Sequence, residues 1–575
     1  MRVALVVPAL SYPNLECMTV LHFPNGLACL AGALKRSGHQ VIGLNPNNDF
    51  NHPSAAAMIY GKLKQMIENE RPQLVGLTGL CTDYHFLKAA ISIIRSVDPG
   101  VPIVCGGGII THDAEFIFNH FKPDFAVMGE GEEVLCQLTH LLETGNDDFA
   151  SIPNLWYWKD GSACFSRVDY NYPDINTRAF PDYEPFDFKT IMEEYTLAQF
   201  YQIRYKRPDA KVMPIVTARS CPFNCSFCVH TRGPKYRARP MESILEEIRL
   251  NYDKYKFNVL FIVDELFAIN RQRLTDFCQG INEGRQKYGW DFNWVFNTHA
   301  SAGFRREELQ VAKDAGCSFF SYGVESASPK VLASMNKKVK PSQLAEATTL
   351  AEEVGLGFGG NFIFGDIAET SETMMESLNF FARHCMDFFV SLIYVCVYPG
   401  SKLFEYCLDN RIIPDKLTHY ETYYKTDRLL KINSMTDYAW DRWKQFITIV
   451  YHTSDIPFLK TAVAHYYYRE PKEIQYQPGR WKAIWKVHFS CPHCAEEIFC
   501  RELLYDKDVY QEAASFVTAC PACSKRFNVH LRQWSGVNLP PKERRMDTKS
   551  FLDSVQKIKT LIDIGEKLSK LDGKS

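Results

Sequence analysis

The sequence has no apolar run of the roughly 18 residues that a membrane-spanning helix needs, so we expect no transmembrane segment. It also has no excess charge of one sign. The formal net charge is −2, so bulk charge does not argue for binding to nucleic acid or to an anionic membrane. The opening stretch MRVALVVPAL is too short for the apolar core of a secretory signal, and we interpret it as a buried first strand. These absences predict a cytoplasmic protein.

The 19 cysteines are many for a chain of 575 residues, yet a disulfide framework is not expected. Such frameworks stabilise small exported domains, whereas this chain is long and has no recognisable export signal. Seven of the 19 cysteines form two compact groups with metal-type spacing, at 221/225/228 and at 491/494 with 520/523. We interpret the others, such as Cys105, as small buried hydrophobic residues in a reducing compartment.

Residues 1–150 alternate apolar strands with helices, which predicts an α/β fold with a doubly wound parallel sheet. Such sheets bind ligands outside the carboxyl ends of their strands. The segments TGLCTDY, CGGGIITHD and MGEGEE occupy those ends, where glycines allow a ligand to approach the backbone closely. Ordinary tight turns are the alternative reading of the same glycines. The candidate binding residues are Thr78, Gly79, Gly106, Gly107, Gly108, Gly129, Glu130 and Gly131.

The rest of the chain divides by composition and periodicity. Residues 206–430 contain six apolar strands separated by helices, which predicts a partial (β/α)6 barrel of the TIM type with functional residues at the carboxyl ends of its strands. A helix near residues 548–571 has one apolar face, which we expect to dock onto the body of the protein or onto a partner. The other predicted segments are an irregular linker at 151–205, an aromatic connecting segment at 431–486, a four-cysteine module at 487–531 and a tail at 532–575.

The stretch ARSCPFNCSFCVHTRG gathers Cys221, Cys225 and Cys228 between a predicted strand and a predicted helix. Cubane iron–sulfur clusters usually take four thiolates, so three thiolates would leave one iron open to another ligand. The position at the carboxyl end of a strand is where a barrel carries its chemistry. Incidental thiols, or a zinc site completed by a distant ligand such as His230, are the alternatives.

This C-x3-C-x2-C spacing, with Phe227 before the last cysteine, resembles the signature of the radical S-adenosylmethionine (SAM) enzymes. The resemblance implies that Cys221, Cys225 and Cys228 hold a 4Fe–4S cluster and that Phe227 belongs to the cofactor site. It also implies that SAM chelates the fourth iron and is cleaved to methionine and a 5′-deoxyadenosyl radical. An external one-electron donor of the flavodoxin or ferredoxin type would reduce the cluster.

Two downstream segments extend the resemblance in the expected order. The segment FIVDELF carries Asp264 and Glu265 where the family places groups that meet the amino nitrogen of SAM. The segment YGVESASPKVLASMNKK resembles the fourth-strand motif, which implies that Glu325 and Ser326 lie near the ribose.

A third segment, NFIFGDIAETSET, resembles the fifth-strand motif that contacts adenine, here through Gly365 and Glu369. It departs from the family pattern, which begins with glycine and continues G-x-P-G-E-T, because Asn361 opens it and the proline is missing. His299, in NTHAS, lies near where relatives often have arginine. We predict that His299 is a catalytic residue that handles substrate or a proton, and a packed core histidine is the alternative.

The order of a doubly wound domain before such a barrel resembles the cobalamin-binding subclass of this family, over roughly residues 1–430. The resemblance implies cobalamin at the strand ends of the first domain, facing the barrel. The D-x-H-x-x-G signature of other cobalamin proteins is missing, and its absence is expected in this subclass. The implied reaction is methylation of an unactivated carbon in a small-molecule or lipid substrate. A radical rearrangement or cyclisation without methyl transfer is the first alternative.

Two C-x2-C pairs, Cys491/Cys494 and Cys520/Cys523, have 25 residues between them and predict a tetrahedral site of four thiolates. A zinc ribbon with a structural zinc is the main interpretation; a rubredoxin-like iron or an auxiliary iron–sulfur cluster is the alternative. Before this module, HYYYREPKEIQYQPGRWKAIWK mixes aromatic and basic residues. That mixture suits either an aromatic packing strap or contact with nucleic acid. The second alternative function is therefore modification of RNA or protein.

Overall fold

The computed structural model describes most of the chain in eleven stretches. These are residues 1–9, 23–48, 55–169, 174–192, 201–230, 235–423, 430–452, 456–477, 480–510, 514–531 and 546–572. Within them, no helix combines the length and the apolar composition needed to cross a bilayer.

The first part of the chain forms a seven-stranded sheet in the order β2-β1-β3-β4-β5-β6-β7. Strands β1 to β5 are parallel, and β6 and β7 add an antiparallel hairpin at one edge. The elements are β1 (Arg2–Val6), α1 (Asn25–Arg36), β2 (Gln40–Leu44), α2 (Ala55–Glu70), β3 (Leu74–Thr78), α3 (Tyr84–Val97), β4 (Ile103–Gly106), α4 (Gly108–Phe121), β5 (Phe125–Val127), α5 (Glu132–Thr144), β6 (Leu155–Lys159) and β7 (Ser162–Phe165).

Helices cover both faces of this sheet, which is why its central strands are apolar throughout. Successive side chains of β1 point to opposite faces. Val3 and Leu5 join the core under α1 and α5, whereas Ala4 and Val6 join the core under α2, α3 and α4. The sheet is therefore the buried middle layer of a three-layer domain.

The second part forms a six-stranded, wholly parallel sheet in the order β8-β11-β12-β13-β14-β15. All six predicted barrel strands are present, as a partial barrel of βα units. A short antiparallel ribbon, β9 with β10, frames the three-cysteine loop. The elements are α6 (Phe188–Thr190), α7 (Tyr201–Arg204), β8 (Val212–Ile215), β9 (Ala218–Arg219), β10 (Arg237–Ala238), α8 (Met241–Tyr255), β11 (Val259–Ile262), α9 (Arg271–Tyr288), β12 (Asn293–Thr298), α10 (Arg306–Asp314), β13 (Cys317–Glu325), α11 (Pro329–Ser334), α12 (Pro341–Val354), β14 (Gly357–Phe364), α13 (Ser371–His384), β15 (Phe389–Tyr394), α14 (Lys402–Asp409) and α15 (Lys416–Thr418).

The last part forms two small three-stranded sheets, β17-β18-β19 and β16-β21-β20. The long terminal helix docks as predicted, because Phe551, Val555 and Ile562 are buried in the main core. The elements are α16 (Asp437–Tyr451), β16 (Thr461–Val463), β17 (Tyr466–Gln477), β18 (Arg480–Ser490), β19 (Glu497–Tyr505), α17 (Asp506–Tyr510), β20 (Ser515–Ala519), β21 (Arg526–His530) and α18 (Thr548–Asp572).

Two segments differ from the sequence-based expectation. Within the segment predicted to be an irregular linker, the β6–β7 hairpin extends the first sheet, and its neighbour β5 pairs with β6 in antiparallel register. The aromatic connecting segment contains α16 and the long β17–β18 hairpin. In both cases, regular structure forms in segments whose local composition predicts irregular structure, because tertiary contacts stabilise it. Parts of both segments lie outside the described residues.

The first domain packs directly against the barrel near the carboxyl ends of both sheets. His112, on α4, lies over Gly400, which follows β15; a Cβ added to Gly400 would lie 2.5 Å from the Cβ of His112. Asp113 is buried and pairs with Lys416 at 2.7 Å. Glycine is required at position 400 both for this close approach and because its φ is +89°.

We expect Gly400→Ala to destabilise the protein more than Gly161→Ala does. Both glycines have left-handed backbones, with φ of +89° and +75°, so both substitutions incur a conformational cost of about 1–2 kcal/mol. A Cβ at position 161 would meet no atom within 4 Å. Overlap with His112 should add about 1–3 kcal/mol at position 400 only. Denaturant unfolding of the two variants measures the difference; equal destabilisation would contradict the close contact.

Candidate functional site

The three-cysteine loop begins directly after β9 at the carboxyl end of β8, and three hydrogen bonds to its backbone anchor its middle. Ser226 donates its N–H to the carbonyl of Met335 at 2.9 Å and accepts a hydrogen bond from Leu403 N–H at 2.9 Å. The Asn336 side-chain amide donates to the carbonyl of Asn224 at 2.7 Å. The end of α11 and the start of α14, the helices that follow β13 and β15, therefore hold the loop over the mouth of the barrel.

The thiols of this loop lie close enough to influence one another. Burial raises the pKa of Cys221, Cys225 and Cys228, and for Cys228 the value is about 12, with a further contribution from the other two thiols. A cationic metal centre would instead lower the pKa of these thiols, because coordination deprotonates a thiol. Three thiolates at a barrel mouth fit a 4Fe–4S cluster that keeps one iron for another ligand.

The residues proposed to contact SAM fall into two groups. Glu265 is exposed beside the loop, where its Oε2 lies 3.1 Å from His230 Nδ1. Glu325, whose φ is +57°, pairs with Lys337 at 2.9 Å, and both side chains are buried below the loop. Phe227 packs against the apolar cluster around Val397. These side chains adjoin the cysteines.

The other group consists of side chains already bonded within the barrel wall. Asp264 accepts hydrogen bonds from the backbone N–H and the hydroxyl of Thr217, at 2.7 and 2.5 Å, and burial raises its pKa to about 6. The Ser326 hydroxyl lies 3.0 Å from that of Ser377. These contacts join neighbouring strand ends and helices of the barrel.

The fifth-strand motif forms a closed loop. Glu369 accepts hydrogen bonds from Gly365 N–H at 3.2 Å and from the Thr373 hydroxyl at 2.5 Å, and burial raises its pKa to about 7. Gly365 has a φ of +99°, and an added Cβ would lie 2.9 Å from Trp440. The departure from the family pattern therefore retains a tight turn, held by the glutamate.

His299 is 5% exposed and stacks on Phe223 of the cysteine loop, with ring centroids 3.8 Å apart. Its Nδ1 accepts a hydrogen bond from Ser301 N–H, so the ring proton of the neutral form lies on Nε2. Burial, aided by the charge of Lys337, lowers its pKa to about 3. Nε2 is buried and has no hydrogen-bond partner among the described residues.

A cavity of about 340 Å³ lies at the carboxyl ends of β1, β3, β4 and β5. Its size is within the range of small-molecule and cofactor sites. All eight residues proposed from the sequence line it: Thr78, Gly79, Gly106, Gly107, Gly108, Gly129, Glu130 and Gly131. At Gly26, which also lines it, an added Cβ would meet nothing within 4 Å, so a side chain there would occupy space now open to a ligand.

Gly107 shows why the triple glycine is needed at the turn after β4. Its φ is +86°, and an added Cβ would lie 2.5 Å from Thr78 Oγ1 and 2.7 Å from the carbonyl oxygen of Gly79. The backbones of two neighbouring strand ends therefore approach each other directly beneath the cavity. The glycines agree with both interpretations of the sequence. They make the tight turn, and they leave backbone atoms at the surface of the cavity, so one face of a large cofactor such as cobalamin can lie against them.

A buried cluster of ion pairs joins this cavity to the barrel. Arg219 binds Glu132 at 2.5 Å and Glu130 at 3.0 Å, and Arg178 binds them at 2.6 and 2.5 Å. Arg237 also pairs with Glu130. Burial alone would raise the pKa of Glu132, but Arg219 and Arg178 hold it well below its usual range. Sequence reasoning missed all three arginines. Arg219 and Arg237 lie in the stretches ARS and YRAR that flank the cysteine loop, and Arg178 lies in NTRAF, but nothing in these stretches indicates their glutamate partners.

The four cysteines near the carboxyl end of the chain form a compact group in which all four sulfurs lie within 4.8 Å of one another. Cys491 and Cys523 are 3.8 Å apart, and Cys494 and Cys520 are 3.5 Å apart. Tetrahedral coordination with metal–sulfur bonds of about 2.3 Å separates the sulfurs by about 3.8 Å. The geometry therefore fits one metal ion.

The four-cysteine module packs against the amino ends of the barrel strands, opposite the cysteine loop. The Ser524 hydroxyl donates to the carbonyl of Gly355, just before β14. Arg526, 1% exposed, donates to the carbonyl of Met386 before β15 and stacks on Tyr451 and Phe458. This end of a barrel usually contributes to stability, whereas the opposite end carries the chemistry.

The aromatic segment before the module has two kinds of face. Trp485 and Val487 point into the core of the module, as a packing strap would. Tyr466, Tyr468 and Phe499 are each more than half exposed on the other face. The side chains of residues 472–481, which belong to the same stretch, lie outside the described residues.

Comparison with known families identifies the two large domains. The family described as the Radical SAM superfamily matches residues 215–381, which include the three-cysteine loop and the strands up to β14. The family described as the B12 binding domain matches residues 13–139, which include most of the residues that line the first-domain cavity.

Two curated relatives are similar over most of the chain. An uncharacterized methyltransferase of Pyrococcus horikoshii is 25% identical over 76% of this chain and 89% of its own length. An anaerobic magnesium-protoporphyrin IX monomethyl ester cyclase of Rubrivivax gelatinosus is 25% identical over 81% of this chain and 79% of its own length.

Among solved structures, the radical SAM methyltransferase TsrM of Kitasatospora setae aligns with a TM-score of 0.56 and 20% identity, over 71% of this chain and 76% of that chain. This likeness concerns the fold. The two matched families, with the three-cysteine loop, identify the chain as an enzyme of the radical SAM superfamily that carries a B12-binding domain before its radical SAM domain.

Proposed function

We propose that this enzyme methylates an unactivated carbon of a small-molecule or lipid substrate and uses cobalamin as well as SAM. The observation that carries the proposal is the shared ion-pair cluster, since Glu130 and Glu132 line the first-domain cavity and bind an arginine two residues before Cys221. Two cofactor sites that meet in this way suit a reaction that needs both. The resemblance to a methyltransferase along 76% of the chain supports the same reading.

The bound cofactors would supply the chemistry: a 4Fe–4S cluster with SAM provides a 5′-deoxyadenosyl radical, and cobalamin provides a methyl group. Cys221, Cys225 and Cys228 would hold the cluster, with Phe227 packed beside it. Glu265 and Glu325 offer carboxylates next to the loop for the polar groups of SAM. The cavity residues would hold cobalamin, and a flavodoxin or ferredoxin would donate the electron.

His299 would hold a ligand in place by a hydrogen bond rather than move a proton. Its Nε2–H is buried and has no partner among the described residues, and its Nδ1 already accepts a hydrogen bond from Ser301. A ring with a pKa near 3 stays neutral at any working pH. The acceptor would be an oxygen or nitrogen of the substrate or of SAM.

The four-cysteine module would hold a structural zinc that stabilises the amino end of the barrel. The sulfur spacing suits one tetrahedral ion. The packing of the module away from the cysteine loop argues against delivery of an RNA or protein substrate by the ribbon. Cyclisation without methyl transfer is the second candidate, because the Rubrivivax relative named as a cyclase aligns with 81% of this chain.

Anaerobic reconstitution with iron, sulfide and hydroxocobalamin, followed by addition of SAM and a reductant, tests the proposal. We expect both S-adenosylhomocysteine, from methylation of the reduced cobalamin, and 5′-deoxyadenosine. Cys225→Ala should abolish formation of 5′-deoxyadenosine, whereas Cys164→Ala, outside both cysteine groups, should not. Deoxyadenosine without any S-adenosylhomocysteine would favour the cyclase reading, and neither product from cluster-loaded protein would refute both.

Two substitutions at His299 separate a fixed donor from a proton carrier. His299→Gln keeps a side-chain N–H, so we expect 5′-deoxyadenosine formation to stay within about tenfold of the wild-type rate. His299→Leu leaves the ligand's acceptor unpaired, which should cost about 1–3 kcal/mol, or about 5- to 150-fold. The pH–rate profile of His299→Gln should match that of the wild type; loss of a titration step would instead indicate proton transfer.

Metal analysis of the purified full-length chain tests the four-cysteine site. We expect one zinc per chain in addition to cluster iron. Cys494→Ser should lose the zinc and lower the melting temperature, because removal of a ligand releases a metal that stabilises the module. Cys500→Ser, on the neighbouring strand, is the control and should retain the metal. A fifth iron in place of zinc would support the rubredoxin-like alternative.

A further inference from the structure

The three-cysteine loop is closed at its base by a pair of arginines that face each other. Arg219 ends β9 and Arg237 begins β10, and the two are register partners in the antiparallel ribbon. The loop that carries all three cysteines runs between them. Whatever holds these two residues therefore fixes the base of the loop, whereas Met335, Leu403 and Asn336 hold its middle.

Both arginines bind the same carboxylate, which belongs to the other domain. Glu130 lies 3.0 Å from the guanidinium of Arg219 and also pairs with Arg237. Its side chain is 2% exposed, and those of the two arginines are 8% and 15% exposed. A buried carboxylate that loses its partners costs several kcal/mol, so this contact resists separation of the loop from the first domain.

Glu130 also lines the cavity of the first domain, together with Glu132 and Arg219. A ligand in that cavity would lie against the residues that hold the base of the loop. The GEGEE motif therefore faces the cavity on one side and the cysteine loop on the other. Glu130 joins the two, and its neighbours Gly129 and Gly131 have no side chains that could come between it and either site.

We propose that Glu130 is a positioning residue that couples the two cofactor sites, so that cobalamin bound in the first domain and the cluster bound by the cysteine loop each strengthen binding of the other. This inference rests on the proposed function for the identity of the cavity ligand. Coupling of this kind is reciprocal, because the two bindings share one thermodynamic cycle. It assigns to the GEGEE motif a role beyond contact with the cofactor.

The test is the Kd of hydroxocobalamin, measured by equilibrium dialysis, for cluster-free and for cluster-loaded full-length protein. For the wild type we expect binding to be at least about fivefold tighter when the cluster is present. Glu130→Gln, which keeps the shape but removes the charge, should bring the ratio of the two Kd values close to one. Glu133→Gln, at the exposed neighbouring position, should keep the wild-type ratio.

Arg237→Gln is the second variant, since Arg237 binds Glu130 but is not among the residues that line the cavity. It should lower the ratio while leaving the Kd of cluster-free protein within about twofold of the wild type, as expected for a change at a distance from the ligand. Hydrogen exchange of residues 218–230 gives an independent readout. Cobalamin should slow that exchange in cluster-free wild type and not in Arg237→Gln.

A wild-type ratio near one with cobalamin bound would overturn the coupling alone. So would a ratio that neither Glu130→Gln nor Arg237→Gln changes. Failure of hydroxocobalamin to bind either form of the protein would instead overturn the proposed use of cobalamin, and the coupling with it.

Discussion

The arrangement of the two large domains depends on one buried cluster of charge, in which Glu130 and Glu132 of the first domain meet Arg178, Arg219 and Arg237. Ions buried without partners are costly, so these groups stabilise the protein only when the two domains are docked. Because Arg219 and Arg237 also close the cysteine loop, docking of the two domains also fixes the base of that loop.

This constraint explains why the chemistry lies at one end of the molecule. Both parallel sheets present the carboxyl ends of their strands to the shared interface, where the glycine-lined cavity and the cysteine loop lie. The four-cysteine module lies against the opposite ends of the barrel strands and buries Arg526 there. One end can thus remain open to ligands, while the other end is closed by the packing of the four-cysteine module.

Most of the framework was predictable because its signals are local. The six barrel strands and the parallel strands of the first domain follow from apolar runs between helices. The hairpin of β6 and β7 was missed, since its strands are defined by pairing with β5 rather than by their own composition. The roles drawn for Asp264, Ser326 and Glu369 from family motifs stay predictions. The bonds of Asp264 to Thr217 and of Ser326 to Ser377 could not be predicted, because they depend on which elements become neighbours. Glu369 instead bonds locally to Thr373, four residues further along the chain.

The sequence by itself determined which side chains are available to bind a metal or a cofactor, because the spacing of such residues is visible within a few positions of the chain. Three cysteines in one loop, two pairs of cysteines in two knuckles, and glycines at strand ends are all readable in order along the chain. Only the tertiary structure decided which of these groups act together. Glu130 and Arg237 are 107 residues apart in the chain, and their contact exists because two separately folded sheets are packed end to end. An ion pair between residues so far apart in the chain has no characteristic spacing by which it could be predicted from the sequence.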